Sequence, residues 1–183
     1  LTTSDAGAGI GYTTLRVRGT DGTRINITAN GIPMNDAESH TLFWVNMPDF
    51  ASSVKDIQVQ RGAGTSTNGA GAFGASVNMQ TEGISMKPYA ELNASYGTFN
   101  AHKETVKFGT GLLNDHWAFD ARLSNISTDG YIDRASVNLN SYYLQGGYFA
   151  ENTSVKLIAF AGKEKTYHAW GYATKAEMEE HGR

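Results

Sequence analysis

The sequence predicts an α+β domain over residues 1–83, followed by long antiparallel β-strands over residues 87–183. Composition is the first observation behind this prediction. The chain has 21 Gly but only 3 Pro, and its 18% of charged residues is low, since soluble domains typically have about a quarter. Second, apolar residues recur at every second position from Tyr89 onward, which is the period of a strand with one apolar face. Third, the connections between these strands alternate between tight turns and longer links.

Short strands bounded by glycine characterise the first domain. They are predicted at residues 15–18, 24–29, 57–60 and 76–81, and Asn30-Gly31 is a typical hairpin turn. Between them, Pro48 and Asp49 suit the first turn of a short helix that continues to Ser53. This mixture of strands with one helical segment favours the α+β class.

A G-x-G-x-x-G pattern at residues 69–74 has the spacing of a dinucleotide-binding loop. That function needs a helix directly after the glycines, because the helix N-terminus binds the phosphates. Residues 76–81 alternate as a strand instead, so we predict no binding of NAD or ATP. The glycines predicted to serve backbone conformation and close packing are Gly19, Gly31, Gly62, Gly69, Gly71 and Gly74.

Five long strands are predicted in the second part, near residues 89–97, 103–112, 116–127, 141–150 and 154–167. Tight turns at 113–115 and 151–153 and a longer link at 129–140 are typical of a transmembrane β-barrel. A soluble β-sandwich, in which one face of each sheet is exposed to solvent, fits the alternation equally well. Five strands cannot close a membrane barrel, which needs about eight, so a barrel would require further strands.

Several function classes are disfavoured. The net charge of −3 gives no basic patch for nucleic acid. The chain has no cysteine, and histidines 40, 102, 116, 168 and 181 lack the paired spacing of metal ligands. No Ser-His-Asp set, paired carboxylates or Gly-x-Ser-x-Gly motif stands out. The sequence therefore predicts no enzyme, no cofactor and no protein-held metal.

Ordered motifs indicate a family. The segment SSVKDIQVQRGAGTSTNGAGAFGASVNMQT (52–81) resembles the plug domain of TonB-dependent outer-membrane receptors. LRVRG (15–19) and INITANGIPMND (25–36) resemble two earlier plug motifs, and ASYGTFN (94–100) resembles the first barrel strand with its outer loop. The resemblance covers residues 7–170 and is nearest to the iron-chelate, or siderophore, type.

This resemblance implies a fold and a function. The fold would be a plug domain truncated at its N-terminus (1–83), then the first five strands and extracellular loops (87–183) of a barrel of about 22 strands. The intact protein would lie in the outer membrane of a Gram-negative bacterium, bind a scarce nutrient such as a ferric chelate, and import it by TonB-driven displacement of the plug. Its partners would be TonB, through a coupling box expected before Leu1, the rest of the barrel, membrane lipid and the extracellular ligand.

Two alternatives stay open. One is an oligosaccharide, cobalamin or haem receptor of the same family. The other, from a different class, is a passive structural or adhesive barrel. In every case we expect this chain to be one piece of a longer polypeptide, with the polar residues 175–183 in an exposed loop.

The family also implies roles for individual residues. Arg18 and Arg61 each end a strand before a glycine, and plug arginines of this kind meet glutamates on the barrel wall in the family. A guanidinium suits such a lock because it binds carboxylate in a bidentate manner and stays charged when buried. The residues expected to face the ligand are Thr20, Asp21, Arg24, His40, Phe43 and Trp44.

Two sets of aromatic residues carry further expectations. Neighbouring residues of a strand face opposite ways, so Phe43 and Trp44 enter one core together only if the backbone turns. At the end of the fifth strand, Tyr167, His168 and Trp170 are expected to form an aromatic girdle at the outer membrane interface. The alternative is that they line the path of the substrate.

Overall fold

The computed structural model describes residues 2–4, 10, 13–63, 73–167 and 173–181. Its elements are β1 (Thr2–Ser4), β2 (Thr13–Leu15), β3 (Ile25–Ala29), β4 (Ile32–Pro33), β5 (Val54–Arg61), β6 (Ala75–Thr81), β7 (Pro88–Tyr96), β8 (His102–Thr110), β9 (Trp117–Thr128), β10 (Val137–Ala150), β11 (Thr153–Thr166) and the helix α1 (Lys175–His181). None of the helices in the described ranges has the length and apolar character needed to cross a membrane.

The N-terminal domain is built on a mixed sheet in the order β4-β3-β6-β5. β3 pairs in parallel with β6, and β5 pairs with β6 in the antiparallel sense. Every residue of β3 is buried, as expected for a central strand covered on both faces. Ile25, Ile27, Val77 and Met79 from the two central strands form the core of this sheet.

The predicted elements of this domain are confirmed in position and corrected in detail. The strand predicted at 15–18 ends at Leu15, because Arg18 takes the left-handed conformation (φ 51°) and Val17 pairs back with Thr20. The helix predicted from Pro48 is a 3₁₀ turn over Phe50–Ser53, because Asp49 is also left-handed (φ 51°). In the described residues of this domain, all helical structure is 3₁₀.

The C-terminal sheet is a five-stranded meander in the order β11-β10-β9-β8-β7, antiparallel throughout. The five predicted strands are all present. β10 begins at Val137 rather than near 141, because Val137 and Leu139 are buried while Asn138 and Asn140 are exposed. In the sequence, the polar Asn138 and Asn140 made the first residues of β10 resemble a loop.

The two faces of the C-terminal sheet differ in chemistry. The face turned to the N-terminal domain, here called the inner face, carries buried polar residues: Thr105, Asp120, Arg122, Ser124, Ser141 and Gln145. The opposite, outer face exposes large apolar residues: Leu92, Val106, Phe108, Phe119, Leu123, Tyr142, Leu144 and Leu157. A polar inside and an apolar outside is the arrangement of a transmembrane barrel, and the reverse of a soluble sandwich.

The residues at 175–181 form a helix, not the loop that we expected. The backbone N–H of Thr174 donates to Glu177 Oε2 at 2.7 Å, and the Glu177 N–H donates to Thr174 Oγ1 at 3.3 Å. This reciprocal pair is a capping box, whose Thr-x-x-Glu spacing is visible in the sequence.

Candidate functional site

The N-terminal domain and the inner face of the C-terminal sheet are joined at Asp49. Asp49 Oδ2 accepts a hydrogen bond from Arg122 Nη1 at 2.7 Å, and Asp49 Oδ1 accepts one from Lys103 Nζ at 2.7 Å. The side chains of Asp49 and Arg122 are only 6% and 3% exposed, so this ion pair is shielded from water. Its polarity is the reverse of the predicted lock, because here the N-terminal domain supplies the carboxylate.

Serine hydroxyls complete the hydrogen bonding of these charges. Arg122 Nε donates to Ser53 Oγ at 2.7 Å, and Arg122 Nη1 also reaches Ser141 Oγ at 3.1 Å. Lys103 Nζ donates to Ser52 Oγ at 2.6 Å, and the Ser124 hydroxyl donates to Asp49 Oδ2. We call these residues the Asp49 cluster: Asp49, Ser52, Ser53, Lys103, Arg122, Ser124 and Ser141. A buried charge persists only when paired and hydrogen-bonded in this way.

Local backbone geometry points Asp49 at the sheet. The left-handed conformation of Asp49 (φ 51°) is one that aspartate tolerates better than most residues, and the Phe50–Ser53 turn begins directly after it. On one side of Asp49, Phe50 packs on Phe160, with ring centroids 4.9 Å apart. On the other side, Pro48 lies so close to Gly162 that a Cβ on Gly162 would clash with Pro48 Cγ.

Burial raises the pKa of Asp49, but hydrogen bonds from Lys103, Ser124 and Ser52 outweigh it and hold the pKa below its usual value. A carboxyl whose pKa is lower in the folded protein stabilises it above the unfolded pKa, about 3.9 for Asp. We therefore expect the stabilisation from Asp49 to be constant near neutral pH and to be lost as the pH falls below about 4.

The measurement is the free energy of unfolding of the N-terminal domain against pH, for wild type and Asp49→Asn in the full-length protein. The difference in unfolding free energy between the two proteins should shrink as the pH falls. Taking this difference cancels the contribution of all other carboxyls, because both proteins contain them. A difference that stays constant down to pH 3 would contradict the assignment.

The segment that links the two domains is held at the opposite end of the inner face from the long loops. Glu82 forms an ion pair with Lys107 at 2.8 Å. Asp120 Oδ2 accepts hydrogen bonds from the Ser85 N–H and from Gln145 Nε2, both at 2.9 Å. The link is therefore fixed to the sheet by side chains of β8, β9 and β10.

Asn35 organises the loops that precede the Asp49 cluster. Its Oδ1 accepts from the Ile27 N–H at 2.7 Å, and its Nδ2 donates to the Ile25 carbonyl at 2.9 Å and to the His40 carbonyl at 3.0 Å. One side chain thus replaces a missing strand neighbour of β3 and ties it to the loop at His40. Asn35 lies within the motif INITANGIPMND, but its role requires the fold to be seen.

Three of the predicted ligand-facing residues lie around one cavity. This cavity of about 360 Å³ is lined by Asp21, Phe43 and Trp44. Phe43 is 47% exposed, whereas Trp44 packs against the core, so the two neighbours diverge. Asp21 accepts a hydrogen bond from the Thr23 N–H at 3.0 Å, and hydrogen bonds from Thr23 lower the pKa of its exposed carboxyl.

The other three predicted residues lie elsewhere. Arg24 and His40 are exposed and do not line this cavity. Thr20 donates its hydroxyl to the Val17 carbonyl at 2.6 Å and closes a turn. A Cβ on Gly74 would clash with Thr20 Oγ1, so the absence of a side chain at Gly74 lets Thr20 lie close to it.

The predicted lock arginines are both exposed, and neither forms an ion pair with a described residue. Gly19, Gly31 and Gly62 have positive φ. Gly69, Gly71, His168 and Trp170 lie outside the described residues. Tyr167 is 53% exposed and follows the outer edge strand β11.

The structure also bears on the glycine pattern and on potential metal ligands. The strand β6 begins at Ala75, directly after Gly74, so the segment that follows the glycine pattern is a strand, as its alternation predicted. In the ranges that the structure covers, no three His, Cys, Asp or Glu residues come together as potential metal ligands.

Comparison with known proteins finds one family model that matches the first part of this chain. Residues 2–76 match the family described as the TonB-dependent Receptor Plug Domain. The matched residues span most of the N-terminal domain, and for the C-terminal sheet the likeness to solved structures is one of fold. No curated protein matches the chain.

Solved receptors share the fold. The pyoverdine outer membrane receptor FpvA from Pseudomonas aeruginosa PAO1 aligns with a TM-score of 0.66 at 15% identity, over 83% of this chain and 22% of its own. The copper transporter OprC aligns with a TM-score of 0.64 at 20% identity, over 86% of this chain and 25% of its own. The ferric yersiniabactin uptake receptor FyuA from Yersinia pestis aligns with a TM-score of 0.63 at 11% identity, over 84% of this chain and 25% of its own. The chain therefore spans about a quarter of the length of these receptors.

Proposed function

We propose that the intact receptor binds a ferric chelate at its outer face and imports it by TonB-driven displacement of the plug. The observation that carries this proposal is the plug seated on the inner face of the barrel strands by the buried Asp49–Arg122 pair. A plug held by a water-shielded ion pair, at 2.7 Å, does not move aside without work. An energised partner on the periplasmic side is the expected source of that work.

The choice of ferric chelate rests on the names of structural neighbours. FpvA and FyuA are described as receptors for pyoverdine and ferric yersiniabactin, whereas OprC is described as a copper transporter. The absence of clustered ligands among the described residues suits a metal that arrives already chelated. Oligosaccharide, cobalamin and haem remain as competing cargoes.

The test is growth of the source bacterium with and without the receptor gene, in iron-limited medium supplied with one ferric chelate at a time. We expect the deletion to abolish growth on one chelate, and a TonB deletion to do the same. Parallel cultures limited for copper, haem, cobalamin or oligosaccharide are the controls. A growth defect in one of those control cultures alone would show that its nutrient, and not a ferric chelate, is the cargo. Growth that does not depend on TonB would favour the passive barrel.

We further propose that Arg18 and Arg61 pair with carboxylates on barrel strands outside this chain. Both residues are exposed: Arg18 lies in the turn before Gly19, and Arg61 ends β5 directly before Gly62, so both side chains can reach other strands. Alanine at either position is expected to loosen the plug in the full-length receptor, giving sensitivity to large antibiotics and faster proteolysis of the plug. Both single variants behaving as wild type would overturn this pairing.

A further inference from the structure

The link between the N-terminal domain and β7 divides at Gly83 into two parts with different attachments. Before Gly83, the Glu82 N–H donates to the Ser53 carbonyl at 2.9 Å, which continues the pairing of β6 with β5. After Gly83, residues 84–86 contact the C-terminal sheet. Glu82 therefore belongs structurally to the N-terminal domain, whereas the residues after Gly83 belong to the sheet.

The part of the link after Gly83 is attached through its backbone, by contacts that we call the linker clamp. The Ser85 N–H donates to Asp120 Oδ2 at 2.9 Å, and the Met86 carbonyl accepts from the Leu112 N–H at 3.1 Å. Asp120 is itself 7% exposed and accepts a further hydrogen bond from Gln145 Nε2 at 2.9 Å. Since a buried polar group that loses its partner is costly, these contacts resist separation. Directly after them, β7 pairs along its whole length with β8.

The Asp49 cluster is an attachment of another kind. The contacts described above join the side chains of Asp49, Ser52 and Ser53 to side chains of β8 and β9. Side chains can change rotamer as they part, and no strand pairing is broken when they do. The cluster can therefore open while the C-terminal sheet stays intact.

The two attachments lie at different levels of the inner face. On β9, Ser124 of the Asp49 cluster and Asp120 of the linker clamp are separated by roughly 13 Å, at the usual rise of a strand. A rotation of the N-terminal domain about the link therefore moves its Asp49 end away from the sheet, whereas the end beside Asp120 moves little.

Gly83 has the properties of a hinge for such a rotation. It is exposed, and a Cβ placed on it would meet no described atom within 4 Å, so neighbouring groups do not restrict its torsions. Glycine also has access to the widest range of φ and ψ. Beside it, the Glu82–Lys107 ion pair at 2.8 Å joins two long side chains, which can follow a change in the backbone. Hinges are typically a few loop residues, often small, that absorb changes in φ and ψ.

We propose that the plug swings about Gly83, so that the Asp49 cluster opens while the linker clamp stays closed. The inference rests on the proposed function, because it describes the displacement that import requires. In this movement, the end of the plug that carries Asp49 leaves the inner face. The end beside Asp120 stays on it and guides the plug back to the same seat.

Engineered disulfide bonds test this movement, since no native cysteine of this chain competes with them. The first pair, Asp49→Cys/Ser124→Cys, replaces two hydrogen-bonded side chains and locks the Asp49 cluster. The second pair, Ile84→Cys/Gly147→Cys, locks the linker clamp, because a Cβ on Gly147 lies 2.7 Å from Ile84 Cδ1. Both pairs are made in the full-length receptor, mass spectrometry verifies each cross-link, and the reduced form of each variant is its matched control.

Import is measured with the nutrient that supports receptor-dependent growth. We expect the first cross-link to abolish import until it is reduced, and the second variant to import equally well in both forms. Loss of import with the second cross-link would show that the link itself must move, and import through the first would show that the Asp49 end does not. Either result overturns the proposal, and failure of a pair to oxidise would contradict the contact on which it is built.

Pulling experiments separate this proposal from the proposed function, because they need neither a cargo nor TonB. The N-terminus of the full-length receptor is pulled in a lipid bilayer, and the first opening event is recorded. We expect the first cross-link to suppress this event and the second to leave it unchanged. If the wild type shows no import but the pulling result holds, only the cargo and TonB are in question. The same first event in all forms would overturn the hinge.

Discussion

Replacing Asp49 with asparagine is expected to destabilise the seated plug by about 3–5 kcal/mol, the cost of leaving a buried charge unpaired. Arg122 keeps its charge and, with 3% of its side chain exposed, has no access to water as a substitute partner. Asparagine tolerates the left-handed backbone of position 49 nearly as well as aspartate, so the substitution removes the charge without straining the turn.

Hydrogen exchange in the full-length receptor measures this effect at the buried amides of Ile25 and Ile27, because it reports the free energy of opening of the plug core. The control is Asp56→Asn, which alters an exposed aspartate of the plug. A double variant, Asp49→Asn/Arg122→Met, should recover much of the loss because the uncompensated guanidinium is gone. Equal exchange in Asp49→Asn and wild type would remove the Asp49 cluster from any role in holding the plug.

Replacing Asn35 with alanine is expected to cost several kcal/mol, in a different part of the plug. The substitution leaves the Ile27 N–H and the Ile25 carbonyl without their partners, on residues that are 2% and 0% exposed. Each unsatisfied buried backbone group costs about 1–3 kcal/mol. Since the bond to the His40 carbonyl is lost as well, the loop at His40 should become mobile.

The same exchange measurement tests this prediction, read at β3 and at the His40 loop. Asn46→Ala is the matched control, because Asn46 is exposed and its side chain has no hydrogen bond to a described residue. Asn35→Asp should also destabilise the loop, since a carboxylate keeps the acceptor but cannot donate to the two carbonyls. Destabilisation by Asn46→Ala equal to that by Asn35→Ala would show that the asparagine network is not the cause.

Local pattern was sufficient for most elements of the fold. The five barrel strands follow from alternation, because a period of two in the sequence translates directly into two faces. The motifs around Arg-Gly and Asn-Gly indicated a plug domain, and residues 2–76 match the model of that domain family. The helix at Lys175–His181 was wrongly expected to be a loop, although its Thr174-x-x-Glu177 capping box was available in the sequence.

What the sequence by itself determined is therefore the identity and order of the elements, since periodicity, turn residues and caps act over a few residues. Only the tertiary structure decided the contacts of Asp49, whose partners Lys103 and Arg122 are 54 and 73 residues away along the chain. It also decided which neighbour of the Phe43-Trp44 pair is exposed and that Asn35 completes the hydrogen bonds of β3. The physical reason is that a charge or an amide has no preference for a distant partner until packing excludes water and fixes the distance between them.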